Sequence, residues 1–193
     1  MTSAKKISKL IILCRSYCKL FHILSYRPGH STETALVQLL DNIYHVADNG
    51  KATLLFSLDL SAAFDTIDHS ILLHRLAHNF GLTGSALSWV QSYLTGRSQV
   101  VRIGCHYSSP STCFAGVPQG SVLGPLLFSI YTSPIAHIAQ AHGIQQQQYA
   151  DDTQLYVALS SNSMVTRVSA LESCLESLQS LVMCQQYYDS KRR

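Results

Sequence analysis

The feature that most constrains this chain is a strand–turn–strand signature around Asp151 and Asp152. An alternating run, Ile144 to Tyr149, leads into Ala150-Asp151-Asp152, and a β-prone run, Thr153-Gln154-Leu155-Tyr156-Val157, leads out. This pattern predicts a hairpin with an acidic tip. Successive strand residues face opposite sides of a sheet, so an Asp-Asp pair inside a strand sends its carboxylates apart. At a turn that restriction relaxes, and two like charges are tolerated if a cation lies between them. A hard divalent ion such as Mg²⁺ prefers carboxylate oxygens. The alternative is ordinary turn chemistry, in which Asp bonds nearby backbone.

The rest of the chain bounds the setting. With 193 residues it is long enough for one domain with a real core. Hydrophobic residues make up 47% and charged ones 13%, so part of the surface is expected to be covered by further chain or a partner. The net charge of +3 is mild, but residues 1–32 carry Lys5, Lys6, Lys9, Arg15, Lys19 and Arg27 with no acid, and the chain ends Lys191-Arg192-Arg193. The run Leu10 to Cys14 is too short for a secretory segment and is followed at once by Arg15. No run approaches the roughly 18 apolar residues of a membrane span. Six cysteines, at 14, 18, 105, 113, 174 and 184, lack a secretory context, and reduced thiols are expected.

Residues 1–25 form a basic, apolar leader with no period. Cys14, Cys18 and His22 share a helical face but lack a fourth zinc ligand. Ser31 or Thr32 caps a helix over Glu33–Asp48 whose apolar face is Leu36, Leu39, Leu40, Ile43, Val46 and Ala47, closed by Asn49-Gly50. Thr53 to Leu60 reads as a strand covered on both faces, with Asp59 in apolar surroundings near its end. Asp68 caps a helix over Ser70–Asn79, and a second helix runs from Ser85 to Leu94 with Trp89 and Leu94 in the core. His74 and His78 share a face but lack the Glu of a zinc-protease motif, which makes that face a solvated one. Gln99–Ile103 and Thr112–Ala115 read as paired strands. Gly116-Val117-Pro118-Gln119-Gly120-Ser121 leads into a helix over Val122–His142, whose first N–H groups suit an anion. Met164, Val168, Leu171, Leu175, Leu178 and Val182 mark a last amphipathic helix, and residues 183–193 show no pattern.

Asp59 at a strand end and Asp151 with Asp152 at a hairpin tip form a trio of carboxylates. A buried, unpaired Asp is costly unless neutralised or metal-bound, and backbone N–H groups could equally satisfy Asp59. If the three meet, two divalent ions about 3.5–4 Å apart could activate a hydroxyl and stabilise a leaving pyrophosphate.

The segment Phe56-Ser57-Leu58-Asp59-Leu60-Ser61-Ala62-Ala63-Phe64-Asp65-Thr66-Ile67-Asp68-His69 resembles motif A of the reverse transcriptases of LINE-type (non-long-terminal-repeat) retrotransposons. Gly116 to Phe128, Gly-Val-Pro-Gln-Gly-Ser-Val-Leu-Gly-Pro-Leu-Leu-Phe, resembles their motif B, and Tyr149-Ala150-Asp151-Asp152 their motif C. Tyr26 to Leu36 resembles the segment before motif A, so the resemblance runs from about Tyr26 to Glu176 in family order. It implies an α+β fold, a right-hand polymerase palm with an antiparallel sheet backed by helices, over residues 26–182. It implies an RNA-directed DNA polymerase that joins deoxynucleoside triphosphates to a DNA primer on an RNA template. Asp59 and Asp151 would hold two Mg²⁺ (or Mn²⁺) ions with the Leu60 carbonyl, and Asp152 would support them. Phe64 would exclude a 2′-hydroxyl, Ala62 and Ala63 would leave room for the triphosphate, and Gln119 and Gly120 would touch the incoming nucleotide. Arg27, Pro118 and Tyr149 would contact nucleic acid. A nuclear or cytoplasmic setting follows from the resemblance alone.

Residues 1–24 do not resemble the basic fingers motifs, and Cys184 to Arg193 replace the Lys-containing motif D. Fingers are therefore expected to be incomplete and the thumb absent, with 183–193 an unstructured tail. Two function classes follow: a polymerase, or a truncated, catalytically silent remnant that serves at most as a nucleic-acid-binding module.

Overall fold

The computed structural model describes residues 29–60 and 62–190, the stretch 182–190 by backbone alone. The leader with Cys14, Cys18 and His22, Arg27, and Lys191 to Arg193 lie outside the described residues. Two compact units are present: Ala62–Tyr131 forms one, and the described residues before Ser61 join those from Thr132 onward in the other.

The second unit is built on a three-stranded antiparallel sheet. Its first helix, α1 (Thr32–Asp48), starts at a reciprocal capping box. The Thr34 N–H donates to Ser31 Oγ (3.2 Å) and the Ser31 N–H to Thr34 Oγ1 (2.8 Å), which satisfies two otherwise unpaired donors of the first turn. Asn49 ends it, and Gly50 turns left-handed at φ +67°. The apolar stripe expected on this helix is rotated. Ala35 and Leu39 are buried, whereas Leu36 and Leu40 are 56% and 39% exposed. Polar contacts set that rotation: the Gln147 amide donates to the Ala35 carbonyl, and Asn42 Nδ2 to Tyr156 Oη at 3.1 Å.

Strand β1 (Ala52–Leu58) pairs with the long strand of the acidic hairpin at the edge of the sheet. Being an edge strand, it is not covered on both faces as expected: Leu55 and Phe56 are exposed. Leu54, Leu58 and Leu60 do pack on a buried cluster that includes Ile135, Ala139, Leu155, Val157, Leu171 and Leu178.

In the first unit, α2 (His69–His78) is capped by Asp68, whose carboxylate accepts from the Ile71 N–H at 2.8 Å. It is followed by α3 (Gly84–Leu94). Ile67, Leu72, Leu76, Leu94 and Leu127 are fully buried here, Trp89 is half-buried, and His74 and His78 are exposed as expected. The strands expected over 99–103 and 112–115 are shorter and pair differently. Here β2 (Ser98–Gln99) pairs with β5 (Ser111–Thr112), and β3 (Arg102–Ile103) forms its own hairpin with β4 (His106–Tyr107). Gly104, left-handed at φ +61°, lets the chain reverse early.

The single helix expected over 122–142 is two: α4 (Gly124–Thr132) and α5 (Pro134–Ala141). Pro134 has no N–H and its ring crowds the preceding turn, so the helix restarts there. The hairpin of β6 (Gln145–Tyr149) and β7 (Asp152–Leu159) follows, in sheet order β1-β7-β6. The last helix, α6 (Met164–Ser190), buries Leu171, Cys174 and Leu178. It runs past Val182, so the segment expected to be an unstructured tail is helical to Ser190. Among the described residues no helix is long and apolar enough to cross a membrane, and Cys105, Cys113 and Cys174 are free thiols.

Candidate active site

Register places the acids. Leu58 pairs with Thr153 across β1 and β7, and Asp152 pairs with Tyr149 across β7 and β6. The same register carried one step beyond Leu58, where the ladder ends, brings Asp59 level with Asp152. Asp59, Asp152 and Tyr149 therefore share one row on one face, because Leu54 and Leu58 of β1 and Leu155 and Leu159 of β7 occupy the other. Asp151 lies in the two-residue turn that closes the row. Asp59, Asp151 and Asp152 are all exposed, so the apolar burial expected for Asp59 does not occur: it falls beyond the packed end of an edge strand.

The turn itself is strained. Ala150 has φ +56°, while Asp151 is not left-handed. A positive φ at the first of two turn residues is the type II′ pattern, where glycine is preferred. An alanine there costs on the order of 1–3 kcal/mol and persists only if its surroundings hold it. Gln148 supplies such a hold. Only 2% exposed, it donates its amide to the Ala150 carbonyl at 3.0 Å and to Thr132 Oγ1 at 3.2 Å.

Among the described residues of this unit, no Lys or Arg offsets the acids. Lys51 and Arg167 are the only Lys or Arg in residues 29–60 and 132–181. Lys51 precedes β1, about 26 Å from Asp59 at the rise of a strand. Arg167 Nη1 reaches the Gly143 carbonyl at the opposite end of β6. Three exposed carboxylates, hard oxygen donors, match the donor chemistry of a divalent ion. Their side chains are not drawn together, since among the described residues no group of three His, Cys, Asp or Glu stands ready to hold a metal.

The remaining predicted residues lie in the Ala62–Tyr131 unit, apart from Arg27, which is outside the described residues, and Leu60, whose side chain packs on the sheet's core. Ala62 is left-handed at φ +54°, and its carbonyl accepts from the N–H groups of Asp65 (2.8 Å) and Thr66 (3.1 Å). Ala63 is buried, and Phe64 is half-buried with its ring 5.1 Å from Phe128. The Gly116 loop is stitched to this turn: the Val117 N–H donates to the Phe64 carbonyl (2.9 Å) and the Gly116 N–H to the Ile67 carbonyl (2.8 Å). A β-carbon at Gly116 would lie 3.0 Å from Asp65 backbone, so glycine is required there. Pro118 is half-buried, and Gly120 is exposed at φ +76°. Exposed Gln119 donates Nε2 to the Asp65 carboxylate at 3.3 and 3.4 Å. The Gly124 N–H, first of α4, is taken by Ser121 Oγ at 3.0 Å, leaving one fewer donor for an anion than expected.

Sequence reasoning missed several supporting groups. The His69 ring, through Nε2, bonds the Gly116 carbonyl at 2.8 Å, and Arg97 donates Nη2 to the same oxygen and Nε to the Leu94 carbonyl. His69 was visible at the end of the Asp68 stretch, but nothing in Thr-Gly-Arg signals Arg97. Gln148 was hidden in a run of four glutamines.

Residues 1–183 match the family model described as reverse transcriptase (RNA-dependent DNA polymerase). The chain is 34% identical over 139 residues to a probable RNA-directed DNA polymerase from transposon BS of Drosophila melanogaster, covering 69% of this chain and 15% of that protein. It is 30% identical over 159 residues to the RNA-directed DNA polymerase from mobile element jockey of the same organism, covering 80% and 17%. The chain thus spans under a fifth of these relatives' length. A solved structure of apo telomerase from Candida tropicalis, truncated from its C-terminal domain, superposes with a TM-score of 0.65 at 12% identity, covering 90% of this chain and 36% of that one. That likeness extends to the fold.

Proposed function

We propose that this chain, which belongs to the reverse transcriptase (RNA-dependent DNA polymerase) family, carries the nucleotidyl-transfer centre of a retrotransposon polymerase. The observation that supports this most is the acidic row: the β1–β7 register carried one step past Leu58 brings Asp59 level with Asp152, Asp151 lies in the adjoining turn, and Lys51 and Arg167 are the only Lys or Arg in residues 29–60 and 132–181. Asp59, Asp151 and Asp152, with the Leu60 carbonyl, would hold divalent ions, of which Mg²⁺ is the physiological candidate and Mn²⁺ a substitute. Bound there, the ions supply Lewis-acid activation of a primer 3′-hydroxyl and charge neutralisation at a leaving pyrophosphate.

The other roles rest on the motifs. Phe64 would block a 2′-hydroxyl, a steric exclusion for which its ring, braced by Phe128, has the bulk. Ala62 and Ala63 would leave space for the triphosphate. Gln119 and Gly120 would contact the incoming nucleotide, with Asp65 orienting the Gln119 amide. Tyr149, in the acidic row, and Pro118 would face nucleic acid, as would Arg27. The catalytic contribution of such groups is positioning and electrostatic, as in other phosphoryl transfers. A palm over 26–182 would hold an RNA–DNA hybrid chiefly through phosphate contacts, which supply much of such affinity.

Primer extension on an RNA template with Mg²⁺ tests this reading. Extension by the native chain that vanishes in Asp151→Ala supports it; extension that survives the substitution removes the carboxylate assignment. A silent, nucleic-acid-binding module is the second reading, favoured by the three carboxylates not being drawn together. Robust Asp151-dependent extension would exclude it.

A further inference from the structure

The acidic turn depends on a residue that the polymerase motifs leave without a role. Gln148 lies on the sheet face opposite Asp152, the face that carries Leu155 and Val157, where it neighbours Thr153 across the ladder. Both are buried, Gln148 at 2% and Thr153 at 0% exposure. Its Nε2 divides its donors between two acceptors on different segments: the carbonyl of Ala150, inside the turn, and the hydroxyl of Thr132, at the end of α4. Ala150 is one of two non-glycine residues with positive φ among those described, and the other, Ala62, is in the turn after Asp59. A left-handed alanine needs an external hold. The Gln148 amide is such a hold, reaching past Tyr149 to the turn carbonyl from a dry position where few competing waters exist.

We propose that Gln148 is a positioning residue: its buried amide, anchored on Thr132, fixes the left-handed Ala150 turn and so aims Asp151 and Asp152 at the face that carries Asp59. The value of that aim to catalysis rests on the carboxylates being the metal-holding set. The hold itself does not. Asp152 reaches the face that carries Asp59 only if Ala150 and Asp151 alone form the turn, so that Tyr149 and Asp152 pair. A turn that relaxes to a right-handed Ala150 shifts the pairing, and a one-residue slip moves every following side chain to the other face.

Two variants separate this from generic packing. Gln148→Met keeps the length and volume without a donor. Gln148→Glu keeps the shape and has a donor only when its carboxyl is protonated, which burial favours. Amide hydrogen exchange by NMR on the metal-free chain is the first readout. Exchange at Ala150, Asp151 and Asp152 is expected to be at least about tenfold faster in Gln148→Met, with the far ends of β6 and β7 unchanged. In Gln148→Glu the same amides should regain native protection as pH falls and the carboxyl becomes a donor, which a purely structural defect would not do. Native exchange at the turn in Gln148→Met, or no recovery in Gln148→Glu, overturns the proposal.

Terbium emission sensitised by Tyr149, which pairs with Asp152, is the second readout. Tb³⁺ should bind about tenfold more weakly to Gln148→Met than to the native chain, and hardly at all to Asp151→Ala. If Asp151→Ala binds Tb³⁺ like the native chain, the carboxylate reading fails, and the exchange measurement still decides the role of Gln148.

Discussion

Replacing Gly116 and Gly120 one at a time by alanine tests how the motif loops of the Ala62–Tyr131 unit are joined. Both glycines are left-handed, at φ +81° and +76°, but their surroundings differ. A β-carbon at Gly116 meets Asp65 Cα and O at 3.0 Å and Phe64 O at 3.1 Å, all backbone, whereas at Gly120 nothing lies within 4 Å. The left-handed penalty for alanine is about 1–2 kcal/mol. Loss of unfolded-chain freedom returns about 0.4–1 kcal/mol, so Gly120→Ala should cost about 1 kcal/mol. Gly116→Ala adds overpacking against backbone that cannot swing aside, about 1–3 kcal/mol more. For a chain of this size 1 kcal/mol is about 2–4 °C in Tm. The expected falls are about 2–4 °C for Gly120→Ala and about 5–15 °C for Gly116→Ala. Trp89, the single tryptophan, sits half-buried in α3 of the same unit, so thermal melting followed by its fluorescence reports the right structure. Equal shifts for the two variants would refute the close packing of Gly116 on the Phe64–Asp65 backbone.

Other perturbations bear on the same architecture. Burial raises the Tyr156 phenol above its ordinary value of 10.0; the folded chain then keeps this proton longer than the unfolded one. Its contribution to stability is full below pH 10 and lost as pH climbs through the raised value, so denaturant midpoints should fall above about pH 10 and fall less steeply in Tyr156→Phe. Asp68→Ala removes the buried cap of α2 and should cost about 1–2 kcal/mol in urea unfolding; an unchanged midpoint would argue against the cap. Phe64→Val should raise ribonucleotide incorporation relative to deoxyribonucleotide by about tenfold, or 1.4 kcal/mol, in single-nucleotide extension; unchanged selectivity would remove the steric role.

Much of this was legible in the sequence for reasons that can be named. The α1 boundaries followed from Ser31 and from Asn49-Gly50, since caps are local chemistry. The hairpin followed from alternation and its acidic tip. What escaped depended on tertiary partners. The α1 stripe looked like Leu36, Leu39 and Leu40, but Gln147 and Asn42 bonds turned the helix so that Ala35 and Leu39 face inward. Asp59 was expected among apolar neighbours because its sequence neighbours are apolar, yet β1 is an edge strand and packs only part of its surface. Pro134 could have been read as a break in the long helix, since a proline there cannot continue the hydrogen-bond ladder.

The alignment of the acids is a consequence of how the sheet buries its leucines. Leu54, Leu58 and Leu60 pack on the same core as Leu155, Val157 and Leu159. Within each set the residues are an even number of positions apart, and the Leu58–Thr153 register brings the two sets onto one face. Asp59 and Asp152 lie between members of those sets or one step before them, so the strand period forces both to the opposite face, at its exposed end rather than beside the buried Gln147 and Tyr156 that bond α1. Shifting either strand by one residue would bury an aspartate and expose a row of leucines, a change that the loss of apolar burial alone makes prohibitive at about 1.5–3 kcal/mol per side chain. Hydrophobic patterning can therefore fix Asp59 and Asp152 without any metal. It cannot fix Asp151, which lies in the turn beyond the last ladder pair, and there the chain uses a left-handed alanine and the buried amide of Gln148 instead.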